Sequence, residues 1–171
     1  MTNVKQGKAL NIKDSRILIA GAASLVGSHT ADLLLKEGAR EVLLLDNFSF
    51  GSMDAIAHLQ NEPRIKIVRA DLMRLPDLLQ ATEGVDGVIH LAAYMTLGFS
   101  QTPWQAVDVN IRGAQNMLEA CRVNQVKKVI FASSNAVYGY GPGIKGELVE
   151  ELPWSDQLGS HSQMGMGRSE E

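Results

Sequence analysis

An α/β fold, a doubly wound parallel sheet of strand order 3-2-1-4-5 with helices on both faces, is predicted by three features of the sequence. Short apolar runs alternate with helix-length segments. The runs are almost wholly apolar rather than alternating, as strands covered on both faces are. The first run passes straight into a glycine-bearing turn that opens a helix. Composition agrees with a globular domain: of 171 residues 45% are hydrophobic and 20% charged, which excludes a disordered chain.

Each element follows from its own pattern. Arg16-Ile17-Leu18-Ile19-Ala20 is the first strand, ending at Gly21. Leu25 to Glu37 carries Leu25, Val26, Ala31, Leu33, Leu34 and Leu35 at helical spacing, with Gly38 as the stop. Glu41 to Leu45 is the second strand, closed by Asp46, and Asp54 to Gln60 a short helix after a Ser49-Gly51-Ser52 loop. Ile65 to Val68 is the third strand. Leu72 to Thr82 reads as helix with Pro76 near its start. The fourth strand lies within Val85 to Ala92, the longest helix spans Pro103 to Val123, and the fifth strand runs from Val126 to Ala132. Residues 1–153 are expected to form one domain and residues 154–171, with three Gly and four Ser, an irregular tail.

Charge and motif content narrow the function classes. Sixteen Lys+Arg against nineteen Asp+Glu give a formal charge of −3, and the densest basic pair, Lys127-Lys128, reads as a solvated strand entry. This argues against nucleic acid and anionic membranes as partners. No apolar run is long enough for a membrane span, and the polar Met1 to Lys8 is not a signal peptide. With a single cysteine, Cys121, a cytoplasmic location is expected. Four scattered histidines without metal-ligand spacing predict no metal site. His90 reads as a satisfied core histidine, Cys121 as a small buried hydrophobe, and Trp104 as a packing anchor at a helix start.

The turn Gly21-Ala22-Ala23-Ser24-Leu25-Val26-Gly27 carries the chemistry. A tight turn before a helix aims backbone N–H groups and the positive dipole end at an anion. Gly21 permits the turn, and Gly27 allows close packing of helix on strand. Ser24 stands where a third glycine would be; its side chain narrows the approach to a pyrophosphate and also offers it a hydrogen bond. The alternative motif G-x-x-x-x-G-K-[ST] fails, because Ser28 follows Gly27. Asp46, closing the second strand, can accept from the hydroxyls of an adenosine ribose, which favours NAD and repels the 2′-phosphate of NADP. Arg40 precedes that strand, and no arginine follows Asp46 closely. A plain strand-to-helix turn and a capping aspartate are the bland alternatives.

Seven segments in order carry a resemblance. They are Gly21 to Gly27, Leu45-Asp46-Asn47, Ala70-Asp71-Leu72, Val88 to Ala93, Val109 to Gly113, Leu118-Glu119-Ala120 and Phe131 to Gly139. Across residues 15–152 the chain resembles the NAD-dependent epimerase/dehydratase family, the extended short-chain dehydrogenase/reductases with a Rossmann-like sheet. The resemblance implies NAD as cofactor and a nucleotide sugar as the full-length family's substrate, with a homodimer as one assembly open to it. It implies that Leu25 and Val26 amides hold the pyrophosphate and that Asp46 and Asn47 bind the adenosine ribose. Asp71 would accept from adenine, with Leu72 packing on the ring. Leu91, Ala92 and Ala93 would lie along the nicotinamide half, Asn110 would support the pocket, and Ser134 would be the catalytic serine that hydrogen-bonds the reacting oxygen. Asp71 as a strand-end cap, Asn110 as a bond to a nearby carbonyl and Ser134 as a strand terminus are the simpler readings.

The sequence departs from the family beyond Ser134. The family's Tyr-x-x-x-Lys pair supplies its acid/base chemistry. Four residues after Tyr138 and Tyr140 stand Pro142 and Ile144, and the nearest trace is Met166-Gly167-Arg168-Ser169-Glu170. The family continues into a C-terminal substrate domain that these residues lack. Three expectations stay open: a truncated or frameshifted enzyme, a non-catalytic dinucleotide-binding module, or a scaffold covered by a partner.

Overall fold

The computed structural model describes residues 10–95 and 100–134. Its contacts divide the chain into two compact units, Met1–Phe131 and Ala132–Glu171; the expected boundary near residue 153 lies outside the described residues. The first unit holds a five-stranded sheet of β1 (Arg16–Ala20), β2 (Glu41–Asp46), β3 (Ile65–Arg69), β4 (Gly87–His90) and β5 (Lys128–Phe131). All neighbours are parallel and the order is β3-β2-β1-β4-β5, as the sequence predicts.

Side-chain alternation along the central strands builds one core on each face. Ile17, Ile19, Val42 and Leu44 face α1 (Leu25–Lys36) through Ala31 and Leu34, and meet Ile56 and Leu59. Leu18, Leu43, Leu45 and Val88 face the other way. There they meet Leu78 and Ala81 of α2 (Leu75–Ala81), and Met117, Ala120 and Cys121 of α4 (Ala114–Val123). Burial of both faces explains the unbroken apolar runs.

Three helices differ from expectation. The segment expected from Asp54 is a 3₁₀ helix, Met53–Leu59, capped by Ser52 Oγ accepting from Ala55 N. Its tight pitch stacks the buried Ile56 and Leu59 three residues apart. The helix expected from Leu72 starts at Leu75. Asp71 accepts from Met73 N through Oδ1 and from Arg74 N through its carbonyl, which holds a turn, and Pro76 has no N–H to give a helix begun at Leu72. The long helix keeps its span but changes pitch: α3 (Pro103–Val107) widens into a π segment, Asp108–Gly113, before α4. Gly113 lies there against Leu72, whose Cβ would sit 2.9 Å from any added Cβ.

The N-terminal edge of the sheet is tied by charge. Asp86 accepts from Arg16 N at 2.9 Å and pairs with Lys127 at 2.6 Å and Arg40 at 3.9 Å. Glu41 pairs with Arg16 and Lys66. Arg40 is thereby engaged at the end of the sheet opposite the Gly21 turn.

Trp104 is no packing anchor: it is 83% exposed, because α3 buries only Ala106. Cys121 is buried, and burial pushes its thiol up to about 11, which suits a core hydrophobe rather than a nucleophile. His90 is buried and stacked on Phe131 at 5.0 Å. It is not fully satisfied: Nδ1 has no hydrogen-bond partner.

Candidate functional site at the C-terminal edge of the sheet

β1 ends in a turn that two glycines shape. Gly21 has φ +81°, and a Cβ there would lie 2.7 Å from Ala92 N. At Gly27 a Cβ would meet Ala22 O at 2.4 Å. No side chain fits either place, so the turn lies against the start of the β4 loop and α1 lies against the turn. Ser24 is the N-cap of α1. Its hydroxyl accepts from Gly27 N at 3.1 Å and donates to Gly21 O at 2.9 Å, so its single proton is spent inside the turn. The first-turn N–H groups of Leu25 and Val26 precede any carbonyl of their own helix. They stand with exposed side chains at the positive end of the helix dipole.

Asp46 joins this turn to the next loop. Its Oδ2 accepts from Ala23 N at 2.9 Å and its Oδ1 from Phe48 N at 2.8 Å. The second bond holds Phe48 at φ +60°, a conformation that a bulky side chain adopts only under such constraint. Gly51 closes the loop back onto the turn: a Cβ there would lie 2.7 Å from Ala23 O and 3.1 Å from Asp46 Oδ1. Ser52 N donates to the same Ala23 carbonyl at 3.2 Å.

Asn47 and Asp71 come together across the ends of β2 and β3. Asn47 Nδ2 donates to Asp71 Oδ2 at 3.1 Å. Leu72 is turned inward instead; only 5% of it is exposed, because it packs against Gly113, so little of it remains for a ring to cover. On the other side of β1, Leu91 N donates to Ala20 O at 2.9 Å; Ala92, which follows it, is half-buried and Ala93 is exposed. Asn110 reaches this strand end from the π segment, binding both polar groups of the Tyr94 peptide. The bland reading of Asn110 as a bond to a backbone carbonyl is therefore met, at the place where a supporting residue is expected. Ser134 belongs to the second compact unit and is exposed.

The sequence reading gave no role at the site to Gly51, Tyr94 or Asn116. Asn116 Nδ2 donates to Leu72 O at 2.8 Å; a lone amide among the apolar positions of a helix was its only signal. Among the described residues no three potential ligands are placed to hold a metal ion, and no helix is long and apolar enough to cross a membrane.

A family model described as NAD dependent epimerase/dehydratase matches residues 17–160. The chain is 34% identical over 150 residues to an uncharacterized UDP-glucose epimerase of Bacillus subtilis, covering 82% of this chain and 46% of that protein. It is 33% identical over 134 residues to the bifunctional protein GAL10 of Candida maltosa, covering 75% of this chain and 87% of that sequence. Among solved structures it resembles the UDP-glucose 4-epimerase of Thermus thermophilus in complex with NAD, at 32% identity and TM-score 0.68, covering 82% of this chain and 44% of that one. It also resembles dTDP-glucose 4,6-dehydratase of Streptomyces venezuelae, at 28% identity and TM-score 0.74, covering 45% of that chain. The chain thus spans under half the length of most of these relatives.

Proposed function

Because the chain belongs to the NAD dependent epimerase/dehydratase family, we propose that its C-terminal sheet edge holds NAD on behalf of a protein acting on nucleotide sugars. The observation that carries this reading is the meeting of Asp46 with the Gly21–Gly27 turn. Each carboxylate oxygen of Asp46 takes one backbone N–H, from Ala23 and from Phe48. A carboxylate has about four acceptor sites, so acceptor capacity on each oxygen remains for the two hydroxyls of an adenosine ribose. A phosphate at the 2′ position would meet that negative charge instead.

The remaining residues take places along the same edge. The Leu25 and Val26 amides face the diphosphate, and Asn47 holds Asp71 where its free lone pairs accept from the adenine amino group. Leu91, Ala92 and Ala93 flank the nicotinamide half, and Asn110 positions that wall through Tyr94. Bound NAD supplies a hydride acceptor. Ser134 belongs to the other compact unit, and the family resemblance alone assigns it the hydrogen bond to the reacting oxygen of a sugar. Nowhere in the 171 residues does a tyrosine stand four before a lysine, so we assign them dinucleotide binding without turnover of a sugar nucleotide. The exposed Trp104, Val107, Ile111 and Leu118, strung along α3, the π segment and α4, favour a homodimer, and equally the alternative of an interaction scaffold. A cytoplasmic location goes with this reading.

Calorimetric titration with NAD(H) and NADP(H) tests the proposal. NAD(H) should bind more tightly, and Asp46→Asn should narrow the difference; equal or tighter NADP(H) binding contradicts it. An epimerase and dehydratase assay with UDP-glucose and NAD should give no turnover above a Ser134→Ala control.

A further inference from the structure

The loops after β2 and β4 dock on opposite sides of the Gly21–Gly27 turn, and an aromatic ring from each meets its counterpart. Gly51 lies against Ala23 on one side and Ala92 against Gly21 on the other. Phe50 immediately precedes Gly51, and Tyr94 lies two residues beyond Ala92. Their rings stand edge to face, with centroids 4.9 Å apart and planes at 87°. Since β1 lies between β2 and β4 in the sheet, this contact bridges the loops that flank the turn leaving β1. A dinucleotide in a doubly wound sheet lies across that switch point, with its diphosphate at the helix N-terminus. The ring pair therefore lies across its path.

We propose that Phe50 and Tyr94 form a clasp over the diphosphate of the bound dinucleotide, parting to admit it and slowing its release. The proposal rests on the dinucleotide reading above. Phe50 does little for the core, being 72% exposed, and its ring meets that of Tyr94. The backbones beneath both rings are fixed: Asp46 and the Ala23 carbonyl hold the loop around Phe50, and Asn110 holds Tyr94. Opening then needs only side-chain rotation. An edge-to-face pair contributes little enough to break readily, equivalent to a change of roughly 2- to 10-fold in a rate.

The experiment is a stopped-flow chase of bound NADH, read by its fluorescence against excess NAD, on the full 171-residue chain. Phe50→Ala and Tyr94→Ala should each speed release roughly 2- to 10-fold, and the double variant should be no faster than the faster single one. Tyr94→Phe, which keeps the ring, should keep release slow. Melting temperatures should stay close to that of the unsubstituted chain for Phe50→Ala. Unchanged release in Phe50→Ala, effects that multiply in the double variant, or a large fall in melting temperature with Phe50→Ala would each overturn the clasp. Failure of the unsubstituted chain to bind NADH overturns the site reading and the clasp together, whereas binding with unchanged release overturns the clasp alone.

Discussion

The Asn110 carboxamide holds the Tyr94 peptide by both ends: Oδ1 accepts from Tyr94 N at 2.8 Å, and Nδ2 donates to Tyr94 O at 3.0 Å. The pair fastens the loop after β4 to the π segment of the long helix, as a β-ladder would if the partner were a strand. One side chain thus supplies the hydrogen bonds that this loop, leaving the sheet, would otherwise have to find in water.

Asn110→Ala should lower stability by about 1–3 kcal/mol, the value of two neutral hydrogen bonds. Asn110→Asp should cost at least as much, because a carboxylate accepts from Tyr94 N but has no proton for Tyr94 O. Denaturant unfolding of the three proteins checks the order.

The strand order and the Gly21–Gly27 turn were legible in the sequence because their causes are local. A strand buried on both faces must be continuously apolar, and a turn without room for a Cβ must carry glycine. The π segment was not legible, since Trp104 to Val123 keeps a nearly helical spacing whichever turn is widened; what selects the widening is the reach of Asn110 to Tyr94 and of Gly113 to Leu72. Trp104 was expected as a packing anchor at a helix start and is 83% exposed: a large apolar residue at a helix start says that it can pack, not which neighbour covers it. The contact of Phe50 with Tyr94 follows from topology alone, and neither residue belongs to a periodic run.

Gly27→Ala should destabilise the chain by about 1–3 kcal/mol, the usual cost of overpacking. The added methyl would meet Ala22 O at 2.4 Å, and backbone cannot swing aside as a flexible side chain can. Gly38→Ala serves as the contrast: its nearest neighbour is Lys13 Cγ at 3.5 Å, so only its φ of +85° opposes the change. Thermal unfolding should rank Gly27→Ala as the less stable of the two, with NADH binding weakened only there.

Asp86 should make the N-terminal edge of the sheet acid-sensitive. The Arg16 amide bond, and then Lys127, hold its carboxyl below the usual range. A lowered native value means that the unfolded chain binds the proton more readily. The stabilisation is therefore complete above about pH 4 and lost as pH falls through the native value. Asp86→Ala should cost about 1–2 kcal/mol at about pH 7, discounted for the partial exposure of its ion pairs. It should also shallow the loss of melting temperature below about pH 4.

His90 places a second, milder transition at higher pH. Burial lowers its imidazole below the ordinary 6.5, and a hydrogen bond with the Ala92 backbone opposes that shift without cancelling it. The folded chain therefore resists protonation more than the unfolded one does. Stability is complete above about pH 6.5 and falls as the unfolded chain gains its proton, until the native value is reached. Because Nδ1 has no partner in its buried site, an apolar side chain of similar volume removes an unpaired polar atom along with the titration. His90→Leu should thus leave stability at about pH 8 little changed, within about 1 kcal/mol, and abolish the part of the decline below about pH 6.5 that His90 causes. A decline of equal depth in His90→Leu would assign that titration to other groups.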